Sequence, residues 1–449
     1  MARLFGTDGV RGLANVDLTA PLALELGEAA ARLTIQGRPA SGHKPKAIIG
    51  RDTRISGEFL DHALAAGLAS AGMDVVRVGV VTTPTVAHLT ASSSVDLGVM
   101  ISASHNPMPD NGIKFFAHGG YKLPDQVEDQ IQELLNTPWD RPTGAAVGEV
   151  EYDDDWAEKS YIEHLMTSLG TDLHGLRIAV DCANGGASFL APEAFRQAGA
   201  DAVVINAAPD GRNINDKAGS THPEQLQALT VASEADFGVA YDGDADRCLA
   251  VDRYGNLVDG DKIMGALAVH MRDEGQLAKD TLVVTVMSNL GLILAMQEAG
   301  IQTVQTGVGD RYVLEAMLEG GYSLGGEQSG HIIAKKYATT GDGILSSLLL
   351  ARMVKESGRD LADLTSFIKR LPQTLINVGG VDRSRANTDP VVAEAVAAAE
   401  AVLGNTGRVL LRPSGTEPLV RVMVEAATQS QADGVASRLA DVVKENLAL

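Results

Sequence analysis

The chain has 449 residues, of which 45% are hydrophobic and 4% aromatic, and its formal net charge at pH 7 is −21. At about 100 to 200 residues per domain, this length predicts two to four domains, and the aliphatic composition is typical of α/β proteins. The negative charge argues against nucleic acid and anionic membranes as partners, no apolar run is long enough to cross a bilayer, and no signal peptide precedes the first motif, so a cytoplasmic protein is expected.

Helical and strand-like patterns alternate along the first third of the chain, which predicts a mostly parallel sheet. Predicted helices cover residues 20–33, 57–71, 84–91 and 125–135, and predicted strands cover residues 47–50, 74–78 and 96–101. The last of these strands leads into a polar loop, Ser102 to Pro107. Ligands bind outside the carboxyl ends of strands in open α/β sheets, so the loop lies where a site is expected. Residues 137–155, rich in Pro, Gly and acids, predict the first domain boundary.

The alternation restarts in three further blocks, each with a polar loop after a strand. Predicted strands cover residues 176–181, 202–205, 237–241, 281–286, 322–324, 374–378, 409–411 and 419–425, and predicted helices end at Gln197 or cover 290–299 and 390–403. Cys182 and Cys248 lie in strand-like segments without metal-ligand spacing, as expected of reduced core residues. The predicted domains are 1–153, 154–256, 257–371 and 372–449. Four loops that converge on one cleft are the simplest architecture for this pattern.

Three carboxylates occur at alternate positions directly after the apolar strand 237–241. In an extended backbone, Asp242, Asp244 and Asp246 would point to one face and could share a cation, and oxygen ligands favour Mg²⁺. A calcium EF-hand loop is excluded because Arg247 and Arg253 replace its required Gly and Glu. A solvated acidic turn is the simpler alternative, which Arg247 disfavours.

The loop after the strand 96–101 contains two candidate nucleophiles, Ser102 and Ser104. Strand periodicity places both on the same side, so their spacing does not choose between them. Taken alone, the loop is more often a turn capped by Asn106 than an active site. The aspartate cluster changes that interpretation, because a serine that carries a phosphate needs a cation to neutralise charge. His105 could act as a general acid or base, or could orient the loop.

Two later loops carry groups suited to a sugar phosphate. The segment Arg412 to Pro418 combines a guanidinium group, two hydroxyls and a glycine turn, which is typical of an anion-binding nest, and Arg421 adds a second positive charge. An ordinary hairpin is the alternative. The glycine-flanked loop with Glu327 and Ser329 could hydrogen-bond to sugar hydroxyls, although such loops are often structural.

At these four segments the chain closely resembles the α-D-phosphohexomutase superfamily. The motifs occur in the family's order, and they are Ser102 to Pro107, Asp242 to Arg247, Gly326 to Gly330 and Arg412 to Glu417. The resemblance covers the whole chain. It implies three similar α/β domains with mixed sheets and a smaller C-terminal α+β domain of the TATA-box-binding-protein-like type, arranged around a central cleft. It also implies that the phosphate is carried by Ser104, the residue before His-Asn-Pro.

The same resemblance implies roles for individual residues. Asp242, Asp244, Asp246 and a phosphate oxygen on Ser104 would bind Mg²⁺. Glu327 and Ser329 would bind the sugar. The residues that would bind its phosphate are Arg412, Ser414, Gly415, Thr416 and Arg421. Arg247 would follow the metal loop, Arg11 and Lys114 would be the basic residues near the phosphoserine, and His331 would be a candidate acid or base.

Within the superfamily, the opening residues Phe5 to Gly12 and Gln328 favour enzymes that act on glucosamine phosphates. The expected reaction interconverts glucosamine 6-phosphate and glucosamine 1-phosphate through a 1,6-bisphosphate, and it would feed UDP-N-acetylglucosamine synthesis and peptidoglycan precursors. Alternatives are a mutase of mannose or glucose phosphates, a Mg²⁺-dependent phosphatase and a non-catalytic sensor. The expected partner is a phosphorylated hexosamine, and a homodimer stays open. One departure from the family is Ala245, where Gly is commoner.

Overall fold

The computed structural model describes residues 3–6, 8–37, 44–414 and 419–449. Internal contacts divide the chain into two units, Met1–Met287 with Ile301–Ser366 and Ser288–Gly300 with Phe367–Leu449. Among the described residues, every helix is too short or too polar to span a membrane.

The first unit begins with a mixed sheet of strands β1 (Val10–Leu13), β2 (Lys46–Arg51), β3 (Asp74–Val80), β4 (Leu97–Ile101), β5 (Asp110–Ala117), β6 (Tyr121–Lys122) and β7 (Val150–Tyr152). Strands β4, β2, β3 and β7 are parallel neighbours, whereas β5 runs antiparallel to β4 and pairs with β1. Its helices are α1 (Ala20–Gly37), α2 (Ile55–Ser70), α3 (Thr83–Ser92) and α4 (Asp125–Leu134). The sequence pattern located the parallel strands β2, β3 and β4 but missed β7, which lies in the segment 137–155 predicted as a domain boundary. It also missed β5, whose first three residues, Asp-Asn-Gly, are typical of a turn.

Two further mixed sheets follow in the same unit. The second contains β8 (Arg177–Asp181), β9 (Asp201–Ile205), β10 (Phe237–Tyr241), β11 (Cys248–Asp252) and β12 (Leu257–Val258), with helices α5 (Asp154–Leu169), α6 (Ala187–Gln197) and α7 (Glu224–Ala232). The third contains β13 (Thr281–Thr285), β14 (Gln302–Thr306), β15 (Leu324–Gly326) and β16 (Ile332–Ala334). The next helices along the chain are α8 (Gly260–Asp273), α9 (Leu290–Glu298), α10 (Asp310–Gly320), α11 (Gly343–Ser357) and α12 (Leu361–Thr365).

The three sheets share one topological feature that the sequence did not reveal as a repeat. In each sheet a parallel strand turns back into an antiparallel neighbour, from β4 to β5, from β10 to β11 and from β15 to β16. The three turns contain the serine loop, the aspartate loop and the glycine-flanked loop. All three predicted functional loops of this unit therefore occupy equivalent positions.

The second unit is a small α+β fold. Its antiparallel sheet contains β17 (Gln373–Gly379), β18 (Arg408–Pro413) and β19 (Leu419–Glu425), with β19 central, and α13 (Pro390–Leu403) and α14 (Gln429–Asn446) pack with it. Alternate residues of β19, among them Val420, Val422 and Val424, join one buried core with α14, as the period of a strand requires. Helix α9 belongs to this unit. The expected fold class, α/β domains with mixed sheets and a small C-terminal sheet domain, is confirmed. The domain boundaries stay a prediction.

The packing of α1 on α2 gives a testable prediction for stability. A Cβ atom at Gly67 would lie 2.2 Å from the Leu24 carbonyl oxygen, so the helices approach backbone to backbone. We expect Gly67→Ala to lower the midpoint of thermal unfolding, with a loss of about 1–3 kcal/mol from overpacking. The matched control is Gly434→Ala in α14, where the nearest atom is the flexible Arg438 side chain at 3.5 Å. That change should stabilise by about 0.5–1 kcal/mol, because alanine favours helices. Equal shifts in both variants would contradict the prediction.

Candidate active site

Ser104 lies in the turn after β4, and its hydroxyl faces the aspartate loop. Its Oγ donates a hydrogen bond to Asp242 Oδ2 at 2.5 Å and lies 3.3 Å from His105 Nδ1. Ser102 has other partners, because its Oγ donates to Asp52 Oδ2 at 2.6 Å and accepts from the Ser104 backbone N–H at 2.9 Å. Strand periodicity does not continue through the loop, since Ser104 has a left-handed φ of +52°. The two hydroxyls therefore have different surroundings, which their spacing could not predict.

The Ser104 turn is held by two residues that sequence reasoning missed. The guanidinium group of Arg54, 1% exposed at the residue level, donates to the backbone carbonyls of Ser104 (3.3 Å), Asn106 (2.6 Å) and Asp110 (2.8 Å). From the second block of the chain, Asn215 Nδ2 donates to the Ser104 and Asn106 carbonyls at 2.9 and 3.1 Å. These donors satisfy buried carbonyls and fix the backbone of a strained turn.

Asp242, Asp244 and Asp246 are each buried, and one carboxylate oxygen of each lies within 4.8 Å of the others. The carboxylates converge because residues 242–247 form a turn, with Ala245 at a left-handed φ of +55°. The expected extended backbone is therefore wrong, and the left-handed φ explains why Gly would suit position 245.

The aspartate cluster fits a hard cation. Asp244 Oδ1 and Asp246 Oδ1 are buried and have no hydrogen-bond partner. Unpaired buried carboxylate oxygens are costly, and a small divalent cation with oxygen ligands would relieve that cost. Burial raises the pKa of Asp242, and the nearby charges of Asp246 and Asp244 raise it further. Asp242 therefore resists ionisation, whereas Lys114, His331 and Arg247 lower the pKa of Asp246 despite its burial.

Basic side chains border the aspartate cluster on one side. Lys114 Nζ, on β5, lies 2.9 Å from Asp244 Oδ2 and 3.0 Å from Asp8 Oδ2. Burial alone would lower the pKa of Lys114, but Asp244 and Asp8 outweigh it and raise that pKa. Asp8, which sequence reasoning did not single out, also pairs with Arg11 and with Lys122, whose Nζ lies 2.6 Å away. Three cationic groups therefore surround one carboxylate beside the Ser104 turn.

His105 and Arg247 form a direct contact above the aspartates. Arg247 Nη1 lies 3.1 Å from His105 Nδ1, and because guanidinium groups only donate, that nitrogen must be unprotonated. Burial, together with the charge of Arg247, lowers the pKa of His105 to about 4. His105 is therefore neutral at pH 7, and its unprotonated Nδ1 is occupied by the contact with Arg247.

His331 lies directly before β16 and is buried. Its Nε2 accepts a hydrogen bond from the Gly341 backbone N–H at 3.0 Å, and its Nδ1 lies 3.6 Å from Asp246 Oδ2. Both ring nitrogens thus face protein groups, an arrangement suited to holding Asp246.

The glycine-flanked loop presents Glu327 and Ser329, both half-buried. Glu327 Oε1 accepts from the Gly309 backbone N–H at 3.1 Å, and Ser329 Oγ lies 3.4 Å from Glu327 Oε2. Gln328 instead donates to Asp261 at 3.0 Å. Because Glu327 also raises the pKa of Arg247, this loop belongs to the same electrostatic environment as the aspartate cluster.

In the second unit, Arg412 and Arg421 lie directly opposite each other on β18 and β19. Burial lowers the pKa of Arg412, and the neighbouring charge of Arg421 lowers it further. Like charges opposite each other in a sheet are destabilising, so the pair favours an anion. Ser414 is buried at the end of β18, whereas Gly415 and Thr416 lie outside the described residues.

Four family models match successive parts of the chain. They are the phosphoglucomutase/phosphomannomutase α/β/α domains I (residues 2–140), II (159–255) and III (259–371) and the C-terminal domain (375–442). The chain is 60% identical to a phosphoglucosamine mutase of Bifidobacterium animalis subsp. lactis and 59% identical to one of Streptomyces coelicolor, in each case over 100% of both proteins.

Solved structures are similar over nearly the whole chain. A phosphoglucomutase/phosphomannomutase family protein of Burkholderia thailandensis has a TM-score of 0.81 and 26% identity, covering 100% of this chain and 99% of its own. An Aspergillus fumigatus N-acetylphosphoglucosamine mutase, in complex with GlcNAc-6P and magnesium, has a TM-score of 0.70 and 20% identity. That match covers 98% of this chain and 95% of the other, and at this identity it shows the fold alone.

The aspartate cluster predicts that divalent cations stabilise the protein. At a Mg²⁺ concentration near 100 times its Kd, binding to the folded state alone adds about 2.7 kcal/mol, so the melting temperature should rise by several degrees. Asp244→Asn should abolish most of that rise, because it removes a ligand charge. The control is Glu224→Gln, an exposed acid at the start of α7, which should keep the full rise. An equal rise in the Asp244 variant would contradict the ligand assignment.

Proposed function

The chain belongs to the phosphoglucomutase/phosphomannomutase family, and we propose that it interconverts glucosamine 6-phosphate and glucosamine 1-phosphate through a phosphoserine at position 104. The observation that carries the proposal is the Ser104 hydroxyl, 2.5 Å from Asp242 in a cluster where two buried carboxylate oxygens lack hydrogen-bond partners. A phosphate on that hydroxyl would enter the cluster together with its cation. The relatives at about 60% identity, named phosphoglucosamine mutases, support the choice of sugar.

The reaction consists of two phosphoryl transfers. In the first, the bond between phosphorus and Ser104 Oγ breaks, a bond to the C1 hydroxyl oxygen of glucosamine 6-phosphate forms, and the hydroxyl proton is passed on to Ser104 Oγ. The resulting glucosamine 1,6-bisphosphate turns around. In the second transfer the 6-phosphoryl group moves to Ser104 Oγ, whose proton goes to the C6 oxygen, and glucosamine 1-phosphate leaves.

Mg²⁺ would be held by Asp242, Asp244, Asp246 and a phosphate oxygen on Ser104. When bound, it supplies positive charge to the phosphoryl oxygens. Neutral His105 would accept a hydrogen bond from Arg247 and so orient that guanidinium group beside the serine loop. Lys114, which its carboxylate neighbours keep protonated, would supply positive charge near the phosphoserine. Arg11 and Arg247 would supply positive charge to the transferred phosphoryl group. His331, whose ring lies beside Asp246, is the candidate acid or base.

The remaining predicted residues bind the substrate. Glu327 and Ser329 would accept and donate hydrogen bonds to sugar hydroxyls. The groups that would hold the phosphate that is not being transferred are Arg412, Ser414, Gly415, Thr416 and Arg421. Exclusion of water during the turn of the bisphosphate would keep the phosphoserine from hydrolysis. A cytoplasmic location and a homodimer stay predictions.

The nucleophile assignment predicts the effect of Ser104→Ala. We expect mutase turnover to fall by about three orders of magnitude or more, as the loss of other enzyme nucleophiles does, with an unchanged melting temperature. Ser233→Ala, at the C-terminal end of α7, is the matched control and should keep full turnover. In the native protein, acid-stable phosphate should map to Ser104. Phosphate on an aspartate, with release of inorganic phosphate from the sugar, would instead support a phosphatase.

The choice of sugar predicts the order of substrates. We expect kcat/KM for glucosamine 6-phosphate to exceed that for glucose 6-phosphate and mannose 6-phosphate, each measured with its own 1,6-bisphosphate as activator. Faster turnover of glucose or mannose 6-phosphate would favour the phosphoglucomutase or phosphomannomutase alternative. It would leave the phosphoserine mechanism intact.

A further inference from the structure

Helix α3 begins at Thr83, directly against the aspartate loop. The Thr83 hydroxyl donates to Asp244 Oδ2 at 2.6 Å, and the Thr83 backbone N–H donates to the Asp244 carbonyl at 2.9 Å. Thr83 is fully buried. Helix α3 follows β3 in the first sheet, whereas the aspartate loop follows β10 in the second, so this two-point contact joins the block that carries Ser104 to the block that carries the carboxylates.

Two of the three aspartates, Asp244 and Asp246, share a pattern of contacts, whereas both oxygens of Asp242 accept hydrogen bonds. Asp244 Oδ2 is occupied by Thr83 and Lys114, whereas Asp244 Oδ1 is buried without a partner. Asp246 Oδ1 likewise lacks a hydrogen-bond partner, with Arg247 Nε 3.8 Å away, and Asp246 Oδ2 is directed at His331 and Lys114. Protein donors therefore hold one oxygen of each of these two aspartates and leave the other for a ligand. Partners of this kind orient metal ligands in other proteins.

Thr83 and Lys114 differ in what they do to Asp244. The ammonium group of Lys114 neutralises charge, and it is shared with Asp8 at 3.0 Å. The Thr83 hydroxyl is neutral, so it fixes the rotation of the carboxylate without reducing its attraction for a cation. The backbone N–H of Thr83, which as the first N–H of α3 lacks a partner within the helix, donates to the Asp244 carbonyl. This second hydrogen bond fixes the backbone of Asp244, as the hydroxyl fixes its carboxylate.

We propose that Thr83 is a positioning residue for the cation site. It fixes the Asp244 carboxylate so that Oδ1 faces the cation, and it keeps the aspartate loop in register with Ser104. This inference rests on the proposed function only in taking the aspartates as cation ligands.

The test compares Thr83→Val, which is nearly isosteric but lacks the hydroxyl, with Thr83→Ser, which keeps it. The matched control is Thr90→Val in the same helix, also fully buried, whose hydroxyl bonds to the Val86 carbonyl at 2.7 Å. Mn²⁺ affinity is measured by electron paramagnetic resonance, with Mg²⁺ as competitor. We expect the Kd for Mn²⁺ to rise about 10-fold or more in Thr83→Val, as the loss of outer-shell partners does elsewhere, and to stay within about threefold of native in Thr83→Ser and Thr90→Val.

Steady-state kinetics give a second measurement. For Thr83→Val, kcat should fall at limiting Mg²⁺ and recover at saturating Mg²⁺, with an unchanged KM for the sugar phosphate. A native Mn²⁺ affinity in folded Thr83→Val, or an equal loss in Thr90→Val, would overturn the inference. If Thr83→Val does not fold, Thr83→Ala takes its place with the same expected loss. Failure of the native protein itself to bind Mn²⁺ would instead contradict the cation assignment of the proposed function, and the inference would fall with it.

Discussion

The structure depends on keeping three carboxylates buried close together. Two unit charges about 4.8 Å apart repel by roughly 3–4 kcal/mol at an effective dielectric constant of 20, so three such pairs approach the whole stability of an ordinary domain. Without a cation, the raised pKa of Asp242 indicates that one carboxylate takes up a proton instead. Lys114, Arg247 and the Arg247 backbone N–H reduce the repulsion, but Asp244 Oδ1 and Asp246 Oδ1 lack hydrogen-bond partners. The arrangement of carboxylates in this loop therefore favours the binding of a cation.

The topology explains why the functional loops can be brought together. Each of the three α/β blocks places its loop where a parallel strand turns into an antiparallel neighbour, a short connection that leaves little freedom. Close approach then requires small residues. A Cβ atom at Gly243 would lie 2.6 Å from the Ser104 carbonyl oxygen, so a side chain there would separate the aspartate loop from the serine loop. The glycine is needed for space, whereas at Ala245 the backbone itself is unfavourable for any residue with a side chain.

The sequence predicted elements best where apolar runs have clear ends. Strand β10 and helix α13 have the predicted bounds, the latter because Asp389 caps it and Pro390 begins it. The spacing of Ser102 and Ser104 could not decide which serine carries the phosphate. That choice depends on a left-handed turn and on Asp242, which is distant in the chain. Arg54, Asn215 and Thr83 were missed for the same reason. The strand-end rule could have drawn attention to Arg54 and Thr83, which follow β2 and β3 at the edge where Ser104 follows β4.

A net charge of −21 does not exclude the binding of the proposed doubly phosphorylated sugar, because charge acts locally. At physiological ionic strength, interactions between exposed charges fade beyond about 8 Å, so distant surface acids contribute little at a buried site. Each unit contains its own unfavourable arrangement of like charges. The aspartate cluster favours a cation, and the opposed Arg412 and Arg421 favour an anion. Binding of a cation and of an anion would relieve these repulsions, so electrostatic energy that lowers the stability of the free protein would strengthen binding at each site.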